Sequence, residues 1–395
     1  MSVKKVLVSN VFGKYNLGDL ALYNELLSKL EGHEISTVIR FPTEQEGVTE
    51  LEPIGKELSR NPLVKLLKQL TAHFFAYLYF KKVRPARYML RPEKRKTLKA
   101  IAECDFMISC PGGFLEDSNN SYYVSTFQLL FGVWAGKKVI IAPQSIGPVK
   151  SDLGRRFLRY TLKRCRMVFA REDVSLDFIK NTLDLTNYEY SPDIILNSKT
   201  LDRHKKEAKK KDIVYATVVN WGFPHLENPK AYRENYKNEL IRLFKYLNEQ
   251  YGQQVTILNQ VDSDLPIADE IVAEVPDIVS IDREKHSPQM MIDKISTTRV
   301  FVGTRFHSCI FSYLAQIPFV AISYLPKTTG MLSALGIEGR HVDIDKVTFE
   351  GLRHMIEEVL NTDVEDVQQE FQRIKERIDS DDVFSKYVNE LLVEE

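Results

Sequence analysis

Short apolar runs alternate with stretches of helical periodicity, and the pattern runs twice along the chain. In the first half VKKVLVSN, HEISTVIRF, CDFMISC, KKVIIAPQS and RMVFAR are separated by LALYNELLSKL, STFQLLFGVWAG and GRRFLRYTLKRC. Strands joined through helices in this way pair in parallel, with helices covering both sides of the sheet. The pattern breaks at 202–212, DRHKKEAKKKD, a charged stretch almost without apolar residues that suits an interdomain linker. It resumes with DIVYATVVN, QQVTILNQ, DIVSID, RVFVGT and PFVAISY, with helix patterns over 232–250, 267–274, 287–296 and 307–316 between them. The expected fold is α/β, with two doubly wound domains, 1–200 and 201–347, facing each other across a cleft. The acidic helical segment 348–395 is expected to cross back to the first domain. A chain of 395 residues is long enough for two such cores.

Composition narrows the partners. Lys+Arg and Asp+Glu are both 54, which argues against a nucleic acid or any other extended polyanion. The four cysteines, Cys104, Cys110, Cys165 and Cys309, form no CxxC pair and no zinc spacing, so a reducing, cytoplasmic location is expected. The first apolar run, Val6-Leu7-Val8, is a strand and too short for a signal peptide. No apolar run approaches the roughly 18 residues that span a bilayer. One local exception stands out. Between Arg60 and Lys99 twelve lysines and arginines meet one acid, Glu93, and inside this insert lies LTAHFFAYLYF. An apolar, aromatic helix with cationic flanks has the composition of a membrane-interface helix. Residues 60–99 are therefore expected to touch a membrane surface. The plainer alternative is a helical hairpin packed on the domain with solvated lysines.

Ligands of open parallel sheets bind at the carboxyl ends of the strands, so the residues at each strand end are the candidate site residues. After the first strand come Asn16 and Asp19, in a turn made tight by Gly18; Asp19 also suits helix capping alone. After CDFMISC come Gly112 and Gly113, whose backbone N–H groups can face a ligand, and the carboxylates Glu116 and Asp117. Gln144 closes KKVIIAPQ. Arg171 ends RMVFA and suits an anion contact, or equally an ion pair with Glu172 or an aspartate.

The second half is richer. VFVGTRFHSCIFSYLAQIPFVAISYLPK turns at Gly303, sets Arg305 and His307 at a helix start, and runs into Tyr324 and Lys327 after the next strand. A helix start binds anions, a guanidinium reaches phosphate or carboxylate with two parallel bonds, and lysine adds a point charge. The combination suits a small ligand with several negative charges. Asp262-Ser263-Asp264 has the DxD pattern of metal-dependent sugar transferases, but it lies in a turn where acids are common. No HExxH, EF-hand, Walker A or GxSxG pattern occurs, and no metal or cofactor is expected.

NLGDLALYNELL, PGGFLEDS, APQSIGP, AREDVSLDFI, SPDIIL and GTRFHSCIFSYLAQIPFVAISYLPKTTGML occur in this order between Asn16 and Leu335. In this the chain resembles the polysaccharide pyruvyl transferase family; the Arg-x-His…Pro…Tyr-x-x-Lys block is the most specific part. The resemblance implies two Rossmann-like domains in a GT-B-like fold, and phosphoenolpyruvate as donor substrate. The pyruvyl group would be attached to two hydroxyls of one sugar in a cell-surface polysaccharide or its lipid-linked precursor. It implies donor binding by Arg305, Lys327, Tyr324 and Gly303 in the second domain and by Arg171 in the first, with His307 as the acid. Asn16, Asp19, Gly112, Gly113 and Gln144 would line the acceptor side, with Glu116 or Asp117 as base. The rival on the same architecture is a nucleotide-sugar glycosyltransferase. The insert at 60–99 belongs to none of these motifs; an enzyme acting on a lipid-linked acceptor would use it as a peripheral anchor at the inner face of the plasma membrane.

Overall fold

The computed structural model describes residues 2–55, 61–116, 121–201, 211–224, 226–337 and 339–394. The chain forms two compact units. One comprises residues 1–15, 19–194 and 381–395, the other 16–18 and 195–380.

The first unit holds a seven-stranded sheet of β1 (Lys5–Gly13), β2 (Glu34–Phe41), β3 (Val48–Leu51), β4 (Phe106–Ser109), β5 (Lys138–Gln144), β6 (Met167–Ala170) and β7 (Tyr188–Tyr190), in the order β3-β2-β1-β4-β5-β6-β7. Every pairing is parallel. The order reverses between β1 and β4, and that break is where the carboxyl ends of a parallel sheet leave room for a ligand. All four residues of β4 are buried, as are six of the seven of β5, which is why these strands carry no alternation. The last helix, Val383–Val393, closes this unit: Phe384 lies 5.3 Å edge-on from Phe169, and its N–H donates to Ser191 Oγ at 3.1 Å.

The second unit repeats the plan with β8 (Ile213–Thr217), β9 (Gln254–Leu258), β10 (Val279–Asp282), β11 (Phe301–Gly303), β12 (Phe319–Ser323) and β13 (His341–Asp343), ordered β10-β9-β8-β11-β12-β13. All are parallel, and the reversal falls between β8 and β11. Local signals set the long crossover helix Pro229–Tyr251. Asn228 caps it, Pro229 needs no N–H partner in the first turn, and Gly252 ends it in a left-handed conformation at φ 63°.

The C-terminal segment divides differently from the expectation at 348–395. The helix Phe349–Asn361 and the next helix up to residue 380 belong to the second unit, and only 381–395 join the first. The expected boundary near 200 compares with the change of unit at 194/195. Most of the charged linker, 202–210, lies outside the described residues.

The basic insert forms the helix Pro62–Phe80, a 3-10 turn Arg84–Met89 and the helix Pro92–Glu103. Asn61 starts the first by accepting from the Leu63 and Val64 N–H groups. One side of this helix is core: Ala72, His73 and Ala76 are buried, and Phe75, Tyr79 and Phe80 pack on the core of the first unit. Much of LTAHFFAYLYF is therefore internal. Nor is every cation of the insert solvated, since Lys94 is 2% exposed. Among the described residues no helix is long and apolar enough to cross a membrane.

His73 stacks on Phe127 with ring centres 4.0 Å apart, and burial pushes its pKa from 6.5 down to about 4. The unfolded chain thus takes up a proton before the folded one does. The contribution of His73 is complete above pH 6.5 and is lost as pH falls toward 4, at a cost of up to about 3 kcal/mol. Chemical denaturation at pH 7 and pH 4.5 should show the wild type losing about 2 kcal/mol more than His73→Gln over that interval. An equal loss in both would remove His73 as the titrating group.

Candidate active site

In the second unit the polar residues gather at the carboxyl ends of β8, β9, β11 and β12. The turn from β11 into the helix Phe306–Leu314 is pinned from below. Thr217 Oγ1, at the end of β8, accepts from the N–H of Thr304 at 3.2 Å and of Arg305 at 3.4 Å, and lies 2.8 Å from Ser308 Oγ. Tyr236 Oη reaches Thr304 Oγ1 at 2.9 Å and accepts from the Val219 N–H at 3.3 Å. Gly303, expected as a donor contact, has a packing reason of its own: a Cβ there would lie 2.6 Å from Cys309 Sγ.

Arg305 is the residue before the helix and is held by two bonds from one carboxylate. Its Nε donates to Asp264 Oδ2 at 2.7 Å and its Nη2 to Asp264 Oδ1 at 2.6 Å. Nη1 donates to Tyr324 Oη at 3.2 Å, and Trp221 stands edge-on to the Tyr324 ring at 5.1 Å. Asp264 is itself fixed by the Asn220 N–H at 3.0 Å. Burial works against the charge on Arg305, but Asp264 and Tyr324 together outweigh it and raise the guanidinium pKa above its ordinary value. The DxD carboxylates are both engaged: Asp264 by Arg305, and Asp262 by Lys285 at 3.1 Å and by the Asn259 amide at 3.0 Å. Asp264 was legible only as a turn acid; its role as the orienting partner of Arg305 was missed.

His307 lies in the first turn of the same helix, 7% exposed, with its ring edge-on to Phe306 at 4.9 Å. The short segment 16–18 belongs to this unit as well. Gly18 packs on the imidazole so closely that a Cβ built on it would come 1.9 Å from Nδ1 and 2.2 Å from Cγ. Asn16 holds the segment, its Oδ1 accepting from the Gly18 N–H at 3.0 Å. The expected role of Gly18 was a tight turn; the structure adds that only glycine leaves room for the ring. Lys327 is the second residue of the helix Pro326–Leu335 that follows β12, and its side chain lies outside the described set.

The first unit carries its own polar cluster at the switch between β1 and β4. Asn10 Nδ2 donates to Ser109 Oγ at 3.2 Å and to the Ser125 carbonyl at 3.3 Å. The buried Gln144 amide lies 3.5 Å from Ser109 Oγ, and its Oε1 has no partner among the described residues. Gly112 is buried against Phe114, whose ring would meet a Cβ at 2.2 Å, and its carbonyl accepts from the Ser145 N–H at 3.0 Å. Gly113, Glu116 and Asp19 are half-buried, and Asp117 lies outside the described residues. Neither Asn10 nor Ser109 was singled out beforehand, since both sit inside apolar runs.

Arg171 departs from its expected role as an open cation. It is 3% exposed, with Nη1 on Asp193 at 2.5 Å, Nε 3.4 Å from Glu172, and Nη2 on Ser145 Oγ at 3.0 Å. Two carboxylates balance its charge inside the first unit, which is the ion-pair alternative.

Two doubly wound parallel-sheet units define a GT-B-like fold. Solved structures share it over nearly the whole chain. They include WaaG, a glycosyltransferase involved in lipopolysaccharide biosynthesis (TM-score 0.57, 8% identity, 99% of this chain and 100% of that one). The glycotransferase of kitacinnamycin also matches (TM-score 0.53, 13% identity, 99% of each chain). Within that class the chain belongs to the polysaccharide pyruvyl transferase family, whose model matches residues 16–326. It is similar to the amylovoran biosynthesis protein AmsJ of Erwinia amylovora, 21% identical over 92% of this chain and 93% of that protein. General stress protein 30 of Bacillus subtilis strain 168 is 23% identical over 48% of this chain and 49% of its own length. The chain is thus a transferase acting on polysaccharide.

The Arg305–Asp264 pair has a measurable energy. Removing one partner of a largely buried pair leaves the other charge uncompensated. With the Arg305 side chain 18% exposed, Asp264→Ala should destabilise the second unit by about 1–3 kcal/mol. A double-mutant cycle with Arg305→Met, read by chemical denaturation, should give a coupling of similar size. A coupling below about 0.5 kcal/mol would reduce the pair to a surface contact.

Proposed function

We propose that the chain moves the pyruvyl group of phosphoenolpyruvate onto two hydroxyls of one sugar, as a cyclic ketal, and releases phosphate. The acceptor is a cell-surface polysaccharide or its lipid-linked precursor, which agrees with family membership and with the likeness to an amylovoran biosynthesis protein. The observation that carries the reading is the Arg305–His307 pair at the start of the helix Phe306–Leu314. A fixed guanidinium and an imidazole together suit a compact donor bearing both phosphate and carboxylate.

In the mechanism, His307 as imidazolium gives its proton to the methylene carbon of the enol, and positive charge develops at C2. One sugar hydroxyl adds to C2 and loses its proton. The C2–O bond to phosphate breaks, and the second hydroxyl attacks C2 to close the ring. Of the two hydroxyl protons, one leaves with phosphate and the other restores His307. Arg305, Tyr324 and Lys327 hold the donor's anionic groups. Glu116 or Asp117 takes the first hydroxyl proton and passes it to the departing phosphate, and Asn16, Asp19, Gly112, Gly113 and Gln144 contact the acceptor. Phosphoenolpyruvate is itself the activated donor, so the proposal invokes no separate cofactor. It also places the enzyme in the cytoplasm, where that metabolite is made.

The purified protein should release inorganic phosphate from phosphoenolpyruvate only when a suitable galactoside, glucoside or mannosaminide is present. His307→Gln should lower that rate by about 10²–10⁴-fold while donor affinity, measured by calorimetry, changes only a few-fold. Near-normal turnover in His307→Gln would remove it as the acid. Turnover with UDP-sugars and none with phosphoenolpyruvate would favour the glycosyltransferase reading.

A further inference from the structure

The helix Pro62–Phe80 has a second apolar side that is exposed among the described residues. Leu63, Leu66, Leu67, Leu70 and Phe74 recur three or four residues apart and are 75%, 52%, 66%, 54% and 56% exposed. That spacing places them on one stripe of the helix. The buried Ala72 and Ala76 lie on the other side, so the stripe is not a core face turned slightly outward. The 3-10 turn that follows adds Tyr88 and Met89, each 63% exposed. Soluble surfaces scatter large apolar side chains singly; a continuous row of this kind marks a docking surface.

Charge identifies the occupant. No acid occurs from Asn61 to Pro92. Lys65 and Lys68 are exposed on the side of the first two turns away from the leucines, and Lys81, Lys82 and Arg91 are exposed beyond them. Leucines on one side, lysines on the other and no carboxylate between them is the pattern of a helix lying in an anionic interface. A second copy of this chain would bring these same cations against one another.

We propose that the first half of this helix docks on an anionic lipid surface, with the Leu63–Phe74 stripe in the acyl boundary and the lysines among the headgroups. The inference rests on the first unit alone and stands apart from the reaction proposed above. It moves the contact from the aromatic run as a whole, much of which is core, to its exposed Leu70 and Phe74 and the leucines before them. Deleting 70–80 would remove Ala72, His73 and Ala76 from the core, so the test uses exposed positions.

The full chain is sedimented with vesicles of phosphatidylcholine alone and of phosphatidylcholine with phosphatidylglycerol. Wild type should bind the anionic vesicles and release them at high salt. Leu66→Asp with Leu70→Asp should lower the partition coefficient at least about tenfold. Leu66→Ser with Leu70→Ser gives the same reading if the acidic pair disturbs the fold. Lys65→Glu with Lys68→Glu should weaken binding and flatten its salt dependence. No binding by wild type, or equal binding by folded leucine variants, overturns the proposal. So does a dimer, seen by sedimentation velocity without lipid, that these substitutions dissociate.

Discussion

The polar strand ends of the second unit depend on one ion pair. Arg305 ends the turn after β11, Asp264 lies in the turn after β9, and the strand between them, β8, runs on to Asn220, whose N–H holds the carboxylate. Three neighbouring strand ends are thus tied at one point. Two parallel bonds fix the plane of the guanidinium as well as its position, which a lysine in its place would not do. Tyr324 then approaches its remaining edge from β12. The arrangement exists because the sheet is parallel and reverses between β8 and β11, which brings all these ends to the same side.

Sterics complete what the ion pair begins. Gly303 lets the helix carrying His307 close onto β11, and Gly18 lets backbone lie directly on the imidazole. At neither position is the glycine there for left-handed backbone; each is there because the next heavy atom is already too near. A histidine gripped in this way keeps one ring orientation, as the proton delivery proposed for it requires. The first unit uses the same plan for different ends. Its switch point gathers neutral amides and hydroxyls, Asn10, Ser109 and Gln144, in place of a guanidinium. Its buried arginine is balanced internally by Asp193 and Glu172. A neutral polar surface suits hydroxyl groups as a cationic one suits phosphate.

Much of this was legible in the sequence because the signals are local. Unbroken apolar runs announced buried parallel strands, and the Gly303–His307 turn announced a helix start with Arg305 and His307 on it. The short strands β3, β7 and β13 escaped, since VTEL, YEY and HVD are half polar and lie at or beside sheet edges. Partnerships between distant residues escaped for a different reason. Nothing in one sequence says which of 54 acids lies beside Arg305, and Asp264 precedes it by 41 positions. The same holds for Arg171, whose neutralisation by Asp193 appears only once β6 and the segment after β7 lie side by side. The insert shows a third case. Composition announced an amphipathic helix, but which side was core depended on Phe127 and its neighbours in a helix far along the chain.

The central claim is that the carbon skeleton of phosphoenolpyruvate ends on the glycan. Labelling that skeleton with carbon-14 and following both products tests it most directly. The account predicts one equivalent of label in the acceptor, stable to base and released by acid as a ketal, for each equivalent of phosphate. Phosphate released with the label recovered as free pyruvate would contradict it, because the site would then hydrolyse its donor rather than transfer it.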